Sequence, residues 1–82
     1  MVEVKGCRGK VEAIRMTKKE WETAEKYGDL YWLAVVTRLD SEPEVYWIQN
    51  PFTKLKNTAE PHTVTQVYYS VSAGDLSTSF MG

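Results

Sequence analysis

The sequence predicts an α+β fold with α/β features, in which a mixed β-sheet of about five strands packs against one main helix. A helix start signal, TKKE, is followed by alternating apolar and charged residues and then by a glycine. A nearly continuous apolar run, LYWLAVVT, comes directly after it, which is typical of a central strand covered on both faces. Shorter apolar stretches bounded by turn residues lie before and after these two elements.

The first two predicted elements are short strands. Residues 2–5 form the first, and residues 11–16 form the second, with Val11, Ala13 and Ile14 as its covered positions. The loop GCRGK between them is rich in glycine and turns the chain back. Because the two strands are adjacent in the chain, we expect them to pair as a hairpin.

A helix is predicted over residues 17–27. Thr17 is placed as its N-cap and Glu20 as its third residue, which is the spacing of a capping box. Gly28 is the expected stop, since glycine readily adopts the conformations that end helices. The buried stripe of this helix is predicted to be Trp21, Ala24 and Tyr27.

Three further strands are predicted after the helix. Residues 30–37 form the central strand, and residues 45–49 pair with it through the turn DSEPE. Residues 64–71 form the last strand, and residues 72–82 are expected to be a polar tail of small residues that is frayed at its end.

The connection over residues 51–62 is polar and could contain one helical turn near residues 52–56. With this connection included, the predicted order is strand, strand, helix, strand, strand, strand.

Size and composition predict one folded domain over residues 1–82. The chain has 82 residues, of which 43% are hydrophobic and 12% aromatic, enough for a core rather than disorder. The single cysteine, Cys7, excludes an internal disulfide and fits a reducing compartment. Because no apolar run approaches the roughly 20 residues of a membrane span, we expect no membrane partner and a cytoplasmic or nucleoid-associated location.

The charge is unevenly distributed. The net charge is −1, which excludes a protein that binds nucleic acid by bulk charge alone. Residues 1–20 nevertheless hold six Lys/Arg and three Asp/Glu, whereas residues 21–50 hold two Lys/Arg and six Asp/Glu. Any surface that faces an anion is therefore expected near the N-terminus, although on charge alone a simple solvated face is the preferred interpretation.

Glu3 and Lys5 are the first candidates for chemistry. They are two residues apart on a predicted strand, so both side chains lie on one face. A carboxylate in this position could bind Mg²⁺, and the ammonium could orient a water or stabilise a phosphate. An ion pair on an exposed strand is the alternative interpretation, and the motif alone is too short to exclude it.

The loop after this strand carries the candidate phosphate contacts. Glycines allow close approach to a phosphate, and the cations Arg8 and Lys10 suit a nucleic-acid backbone. An ordinary hairpin loop is the alternative. His62 and Cys7 lie in separate segments and predict no metal cluster, and the three tryptophans are expected to pack in the core.

Three segments, VEVKG, TKKEWETAEKYGDLYWLAVV and VYWIQNP, together resemble the C-terminal domain family named after the plant protein NO VEIN. The resemblance runs from about Val2 to Leu76 and is most specific over residues 17–36. The family's function is largely unknown, and its members often end large helicase-like or restriction-associated proteins. It is itself similar to the PD-(D/E)XK nuclease superfamily.

The resemblance implies a Mg²⁺ site in the full-length protein. Glu3-Val4-Lys5 matches the (D/E)-x-K strand, so the Glu3 carboxylate and the Val4 carbonyl would be metal ligands and Lys5 would lie beside the attacking water. The superfamily pattern also has a first helix and a strand with an Asp before this motif, which the 82 residues lack. We therefore expect a C-terminal fragment of a larger protein that binds no Mg²⁺ by itself.

Two hypotheses about function follow. The chain is either part of a Mg²⁺-dependent nuclease or a non-catalytic module that binds DNA or a protein. In both, the expected partners are DNA, contacted by Lys5, Arg8, Lys10 and Arg15, and the helicase-like region of the parent protein. A homodimer is a further expectation. Were the chain to cleave DNA, another carboxylate, such as Glu12, Glu20 or one from a second chain, would have to complete the site.

Overall fold

The protein consists of two three-stranded sheets, three helices and a 3-10 turn, in a computed structural model that describes residues 1–63 and 67–81. The α+β class is confirmed. The strands are β1 (Val2–Gly6), β2 (Ile14–Thr17), β3 (Trp32–Thr37), β4 (Glu44–Gln49), β5 (Glu60–Thr63) and β6 (Val67–Val71). The helices are α1 (Lys18–Tyr27), α2 (Pro51–Leu55) and α3 (Ala73–Ser79), and the 3-10 turn is Gly28–Leu30.

The first sheet has the strand order β1-β3-β4 and is mixed. β1 pairs with β3 in parallel, with Glu3 opposite Leu33 and Lys5 opposite Val35. β3 pairs with β4 in antiparallel orientation, as predicted for the hairpin. Leu33 and Val35 are fully buried, so the apolar run does form the central strand.

The second sheet has the order β2-β6-β5 and is antiparallel. The predicted hairpin between the first two strands is wrong, because β2 pairs with β6, with Ile14 opposite Val71. The chain turns away from β1 instead, since Cys7 donates its N–H to the Val36 carbonyl at 2.7 Å and Arg38 donates to the Gly9 carbonyl at 2.7 Å. The strands therefore divide between two sheets rather than forming one sheet of five.

The main helix begins and ends where the sequence predicts. Thr17 is the N-cap, and its Oγ1 accepts from the Glu20 N–H at 3.1 Å while the Glu20 carboxylate accepts from the Thr17 N–H at 2.8 Å. Gly28 ends the helix at φ +53°, ψ −122°. Trp21 and Ala24 are buried as expected, whereas Tyr27 is 39% exposed.

The C-terminal third differs most from the prediction. α2 (Pro51–Leu55) confirms the helical turn expected near residues 52–56, but β5 lies in the connection where no strand was predicted. Residues 73–79 form α3, which buries Leu76 completely, so the prediction of a polar tail without regular structure from residue 72 is wrong. The last strand is described from residue 67, and its predicted start at residues 64–66 lies outside the described residues.

One face of the first sheet carries the core, and the other is open. Side chains from the second sheet and from all three helices join Leu33, Val35 and Ile48 of the first sheet in one buried cluster. Trp21 belongs to this cluster, but Trp47 is 41% exposed on the open face, so the expectation that all tryptophans pack in the core fails there. Among the described helices, none is long and apolar enough to cross a membrane.

Candidate acid–lysine site and basic loop

Glu3 and Lys5 lie on the core-facing side of β1. Alternation along the strand places both side chains beside Leu33 and Val35 of β3, and Val4 on the opposite side. The Lys5 ammonium nitrogen lies 3.8 Å from Oε1 of Glu3, and the two side chains are 21% and 26% exposed. The structure thus brings the two residues together as the sequence predicts, at the edge of the core.

Glu20 joins this pair from the first turn of α1. Its Oε1 accepts a hydrogen bond from the Lys5 ammonium at 2.9 Å and another from the Thr17 N–H at 2.8 Å. The capping box therefore fixes the carboxylate at the point where α1 passes the end of β1. Of the carboxylates that could accompany Glu3, the structure brings Glu20 to Lys5, whereas Glu12 is exposed in the loop.

The two carboxyl groups titrate in opposite directions. The pKa of Glu3 is raised, first by a hydrogen bond to Glu20, then by partial burial and by the negative charge of Glu20. Burial acts to raise the pKa of Glu20 as well, but hydrogen bonds from Glu3, the Thr17 N–H and Lys5 outweigh it and lower the value to about 2. Glu3 is therefore the group that accepts a proton first, and Glu20 is the stable anion that pairs with Lys5.

Tyr31 is a buried residue that responds to the charge of both carboxylates. Burial, together with the negative charges of Glu3 and Glu20, raises the pKa of its hydroxyl to about 12. The residue belongs to the core cluster. Sequence reasoning placed residue 31 in the central strand and did not select it as a site residue, because its local pattern gives no sign that Glu3 and Glu20 are near.

The residues present do not fit a Mg²⁺ ion. Magnesium prefers an octahedron of oxygens, in which a protein usually supplies one or two carboxylates and waters complete the shell. Among residues 1–63 and 67–81, no group of three His, Cys, Asp or Glu side chains could hold a metal. The Lys5 ammonium already pairs with Glu3 and Glu20, so it stands where a cation between them would have to bind.

The loop after β1 presents Arg8 and Lys10 to solvent. The bond from the Arg38 N–H to the Gly9 carbonyl fastens this loop to the turn that follows β3. Arg38 therefore adds a third exposed cation at the same end of the first sheet, and it pairs with Glu44 at 3.6 Å. Sequence reasoning missed Arg38. This residue adopts a positive φ of 54° in the turn that follows β3.

Arg15 lies apart from these residues, on the outer face of the second sheet. Its guanidinium carbon is 4.6 Å from the centre of the Tyr68 ring. His62 stacks on the same ring at 4.8 Å, and its Nε2 lies 2.8 Å from Ser70 Oγ. The predicted nucleic-acid contacts therefore divide between two sheets, and His62 packs on the outer face of the second sheet.

Comparison with models of protein families finds one described as Protein NO VEIN, C-terminal, which matches residues 1–48. The match covers more than half of the 82 residues and includes Glu3, Lys5 and Glu20. It ends within β4, so it is shorter than the resemblance from Val2 to Leu76. Comparison with the curated proteins and with the solved structures finds no match.

Proposed function

This chain belongs to the NO VEIN C-terminal family, and from this premise we propose that it is the nucleic-acid-associated module of a larger DNA-processing protein, helicase-like or restriction-associated. The module contacts the phosphate backbone and does not itself cleave it. The acid–lysine cluster of Glu3, Lys5 and Glu20 is the remnant of a nuclease-type site.

The single observation that carries the proposal is the position of the basic loop. Arg8 and Lys10 are exposed, and the loop that holds them is bonded to the turn after β3, where Arg38 is exposed as well. Cations held on a short, fixed loop can contact successive phosphates. Such contacts carry no sequence information, so the module positions the parent protein on nucleic acid rather than selecting a site.

The remnant supports a binding role over a catalytic one. Lys5 is engaged by two carboxylates, so it is not free to orient a water at a metal. A full-length protein that supplied a further acidic ligand would have to displace this ammonium from Glu3 to make a Mg²⁺ site. The Val4 carbonyl would still be available as a ligand of such an ion. The Met1 carbonyl and the Cys7 N–H both bond to β3, and because backbone groups alternate in direction along a strand, the Val4 carbonyl points away from β3.

A second candidate is a non-catalytic protein-interaction domain. The open apolar face of the first sheet favours it, because exposed aromatic and aliphatic side chains on one sheet face mark a surface for association. The two candidates involve different surfaces, so variants of the basic loop separate them.

Fluorescence anisotropy with labelled duplex and single-stranded DNA tests the proposal. We expect weak binding without sequence preference that falls steeply with salt. The double variant Arg8→Ala/Lys10→Ala should weaken binding and reduce the salt slope for duplex by about 1.8, from two lost phosphate contacts.

The matched control is Lys54→Ala/Lys56→Ala. Both lysines are exposed at α2, so this variant removes the same charge away from the loop. Equal weakening by the two double variants would show that net charge alone binds DNA, and no binding at low salt would overturn the proposal.

A further inference from the structure

Arg38 is held against the basic loop by its backbone. Its N–H donates to the Gly9 carbonyl at 2.7 Å, and Arg8 and Lys10 flank this glycine in the chain. A Cβ added to Gly9 would meet nothing within 4 Å, so the surface at this glycine is open. Three exposed cations therefore belong to one open stretch of backbone, although Arg38 comes from a distant part of the sequence.

The three cations differ in their partners within the protein. In the described ranges 1–63 and 67–81, Arg8 and Lys10 form no ion pair, whereas Nη1 of Arg38 lies 3.6 Å from Oε1 of Glu44. The side chains of this pair are 58% and 49% exposed. The interaction is weak, because water screens it and a single nitrogen of the guanidinium takes part in it.

Glu44 is held toward Arg38 by the end of β4. Its Oε2 accepts a hydrogen bond from the Tyr46 hydroxyl at 2.8 Å, and the Tyr46 ring stacks on Phe80 with the ring centroids 4.7 Å apart. Thr37 lies opposite Glu44 in the register of β3 with β4, and Arg38 follows Thr37 directly. The carboxylate is therefore kept where the arginine leaves the sheet.

We propose that Glu44 is an internal competitor for Arg38, which pairs with the guanidinium in the free protein and is replaced by a phosphate of the bound nucleic acid. This inference rests on the proposed function and names a residue that regulates it. A phosphate can accept two parallel hydrogen bonds from a guanidinium, whereas Glu44 makes one loose contact. The exchange therefore favours the phosphate once Arg8 and Lys10 hold the backbone nearby.

The carboxylate opposes binding in two ways that an experiment can separate. It competes for the Arg38 guanidinium, and its negative charge repels any phosphate close by. Repulsion is common to every carboxylate of the turn between β3 and β4, whereas competition requires the contact with Arg38. Removing the charge of Glu44 should therefore tighten binding by more than removing a neighbouring charge, and the excess should depend on Arg38.

Fluorescence anisotropy with labelled duplex DNA compares Glu44→Gln with the matched control Glu42→Gln. Glu42 is exposed in the same turn and forms no ion pair with the described residues, so the control removes the same charge without the contact. We expect Glu44→Gln to bind more tightly than Glu42→Gln by up to about fivefold, the size of one exposed ion pair. Equal tightening in the two variants would overturn the proposal.

A double-variant cycle shows whether Glu44 acts through Arg38. Arg38→Ala should weaken binding, and in this background Glu44→Gln should tighten binding no more than Glu42→Gln does. An excess that persists without Arg38 would show that Glu44 only repels the phosphates, and the proposed competition would be wrong.

The ionisation of Tyr46 tests the position of the carboxylate without nucleic acid. The hydrogen bond to Glu44 and the charge of Glu44 raise the pKa of the Tyr46 hydroxyl, so Glu44→Gln should lower it and Glu42→Gln should not. An NMR titration of the Tyr46 ring is the measurement. An unchanged pKa in Glu44→Gln would overturn this inference and leave the proposed function in place, whereas wild-type protein that binds no DNA would overturn both.

Discussion

The ammonium nitrogen of Lys5 on β1 lies 2.9 Å from Oε1 of Glu20 at the start of α1. The same oxygen accepts the Thr17 N–H, so one carboxylate caps the helix and pairs with the lysine of the first strand. This contact ties the first sheet to the helix that packs on it. Because Lys5 also lies beside Glu3, the carboxylates of Glu3 and Glu20 share one cation, the Lys5 ammonium.

Replacing Lys5 by Met should destabilise the fold more at pH 7 than at pH 4. Because folding lowers the pKa of Glu20, its ionised carboxylate stabilises the folded protein. This stabilisation is complete above the ordinary pKa of 4.5 and is lost as the pH falls toward about 2. Without the ammonium, two carboxylates repel at pH 7, whereas at pH 4 Glu3, whose pKa is raised, takes a proton and relieves the repulsion. Urea unfolding at both pH values measures the difference. Lys54→Met, at an exposed site on α2, is the control, and an equal loss at both pH values would contradict the prediction.

Replacing Glu20 by Gln should lower the pKa of Glu3. The hydrogen bond to Glu20 is the largest cause of the raised value, and the charge of Glu20 adds to it. Gln preserves the capping box, since its amide oxygen can still accept the Thr17 N–H, so α1 should remain intact. An NMR titration that follows the Glu3 carboxyl carbon measures the shift. An unchanged or higher pKa would show that Glu20 does not act on Glu3.

Replacing Thr17 by Ala should cost about 1 kcal/mol of the free energy of unfolding. The variant removes the oxygen that accepts the Glu20 N–H at 3.1 Å and leaves one donor of the first turn without its partner. Thr17→Ser retains the cap and should remain near the wild type. Chemical denaturation of the three proteins makes the comparison, and equal stability of the Ala and Ser variants would refute the role of the cap.

Glycine-to-alanine changes at two positions should have opposite signs. Gly28 ends α1 at φ +53°, ψ −122°, a conformation that residues with a Cβ rarely adopt, so Gly28→Ala should destabilise by roughly 1–3 kcal/mol. Gly74 lies in α3 with nothing within 4 Å of an added Cβ, so Gly74→Ala should stabilise by about 0.5–1 kcal/mol. Thermal unfolding of both variants measures the signs. A stabilising Gly28→Ala would show that the turn relaxes without cost.

The isolated chain should not cleave DNA, with or without Mg²⁺. The carboxylates of Glu3 and Glu20 both pair with Lys5, whose ammonium lies where a Mg²⁺ ion between them would have to bind, so neither is free to hold the ion. Incubation of supercoiled plasmid with the chain and Mg²⁺, followed by electrophoresis, is the measurement. Mg²⁺-dependent cleavage that disappears in Lys5→Ala would show that the cluster of Glu3, Lys5 and Glu20 is active and that a further carboxylate completes it.

Local signals in the sequence predicted the parts of the fold that depend on neighbouring residues. The capping box of Thr17 and Glu20 and the stop at Gly28 bounded α1 correctly, because caps satisfy hydrogen bonds within one turn. The antiparallel pairing of β3 with β4 followed from a short turn between two apolar runs. The side shared by Glu3 and Lys5 followed from the two-residue period of a strand.

Weak or misleading local signals explain the missed elements. α3 consists of AGDLSTS, whose residues favour helices poorly, and it forms where Ser72 caps it and Leu76 is fully buried. The spacing of Ser72 and Asp75 was its only sequence signal. β5 contains Pro61, which argues against a central strand, and it lies at the edge of the second sheet, where a proline is tolerated.

By itself the sequence determined the α+β class, the capped main helix, the central apolar strand and the pairing of an acid with a base on the first strand. Only the tertiary structure decided that β2 leaves β1 and pairs with β6, that Glu20 reaches Lys5, and that one face of the first sheet stays open. The physical reason is distance along the chain. Caps and strand periods depend on contacts within a few residues. The pairing partner of a strand depends instead on which distant apolar surfaces exclude water together, and a local sequence pattern does not indicate which surfaces these are.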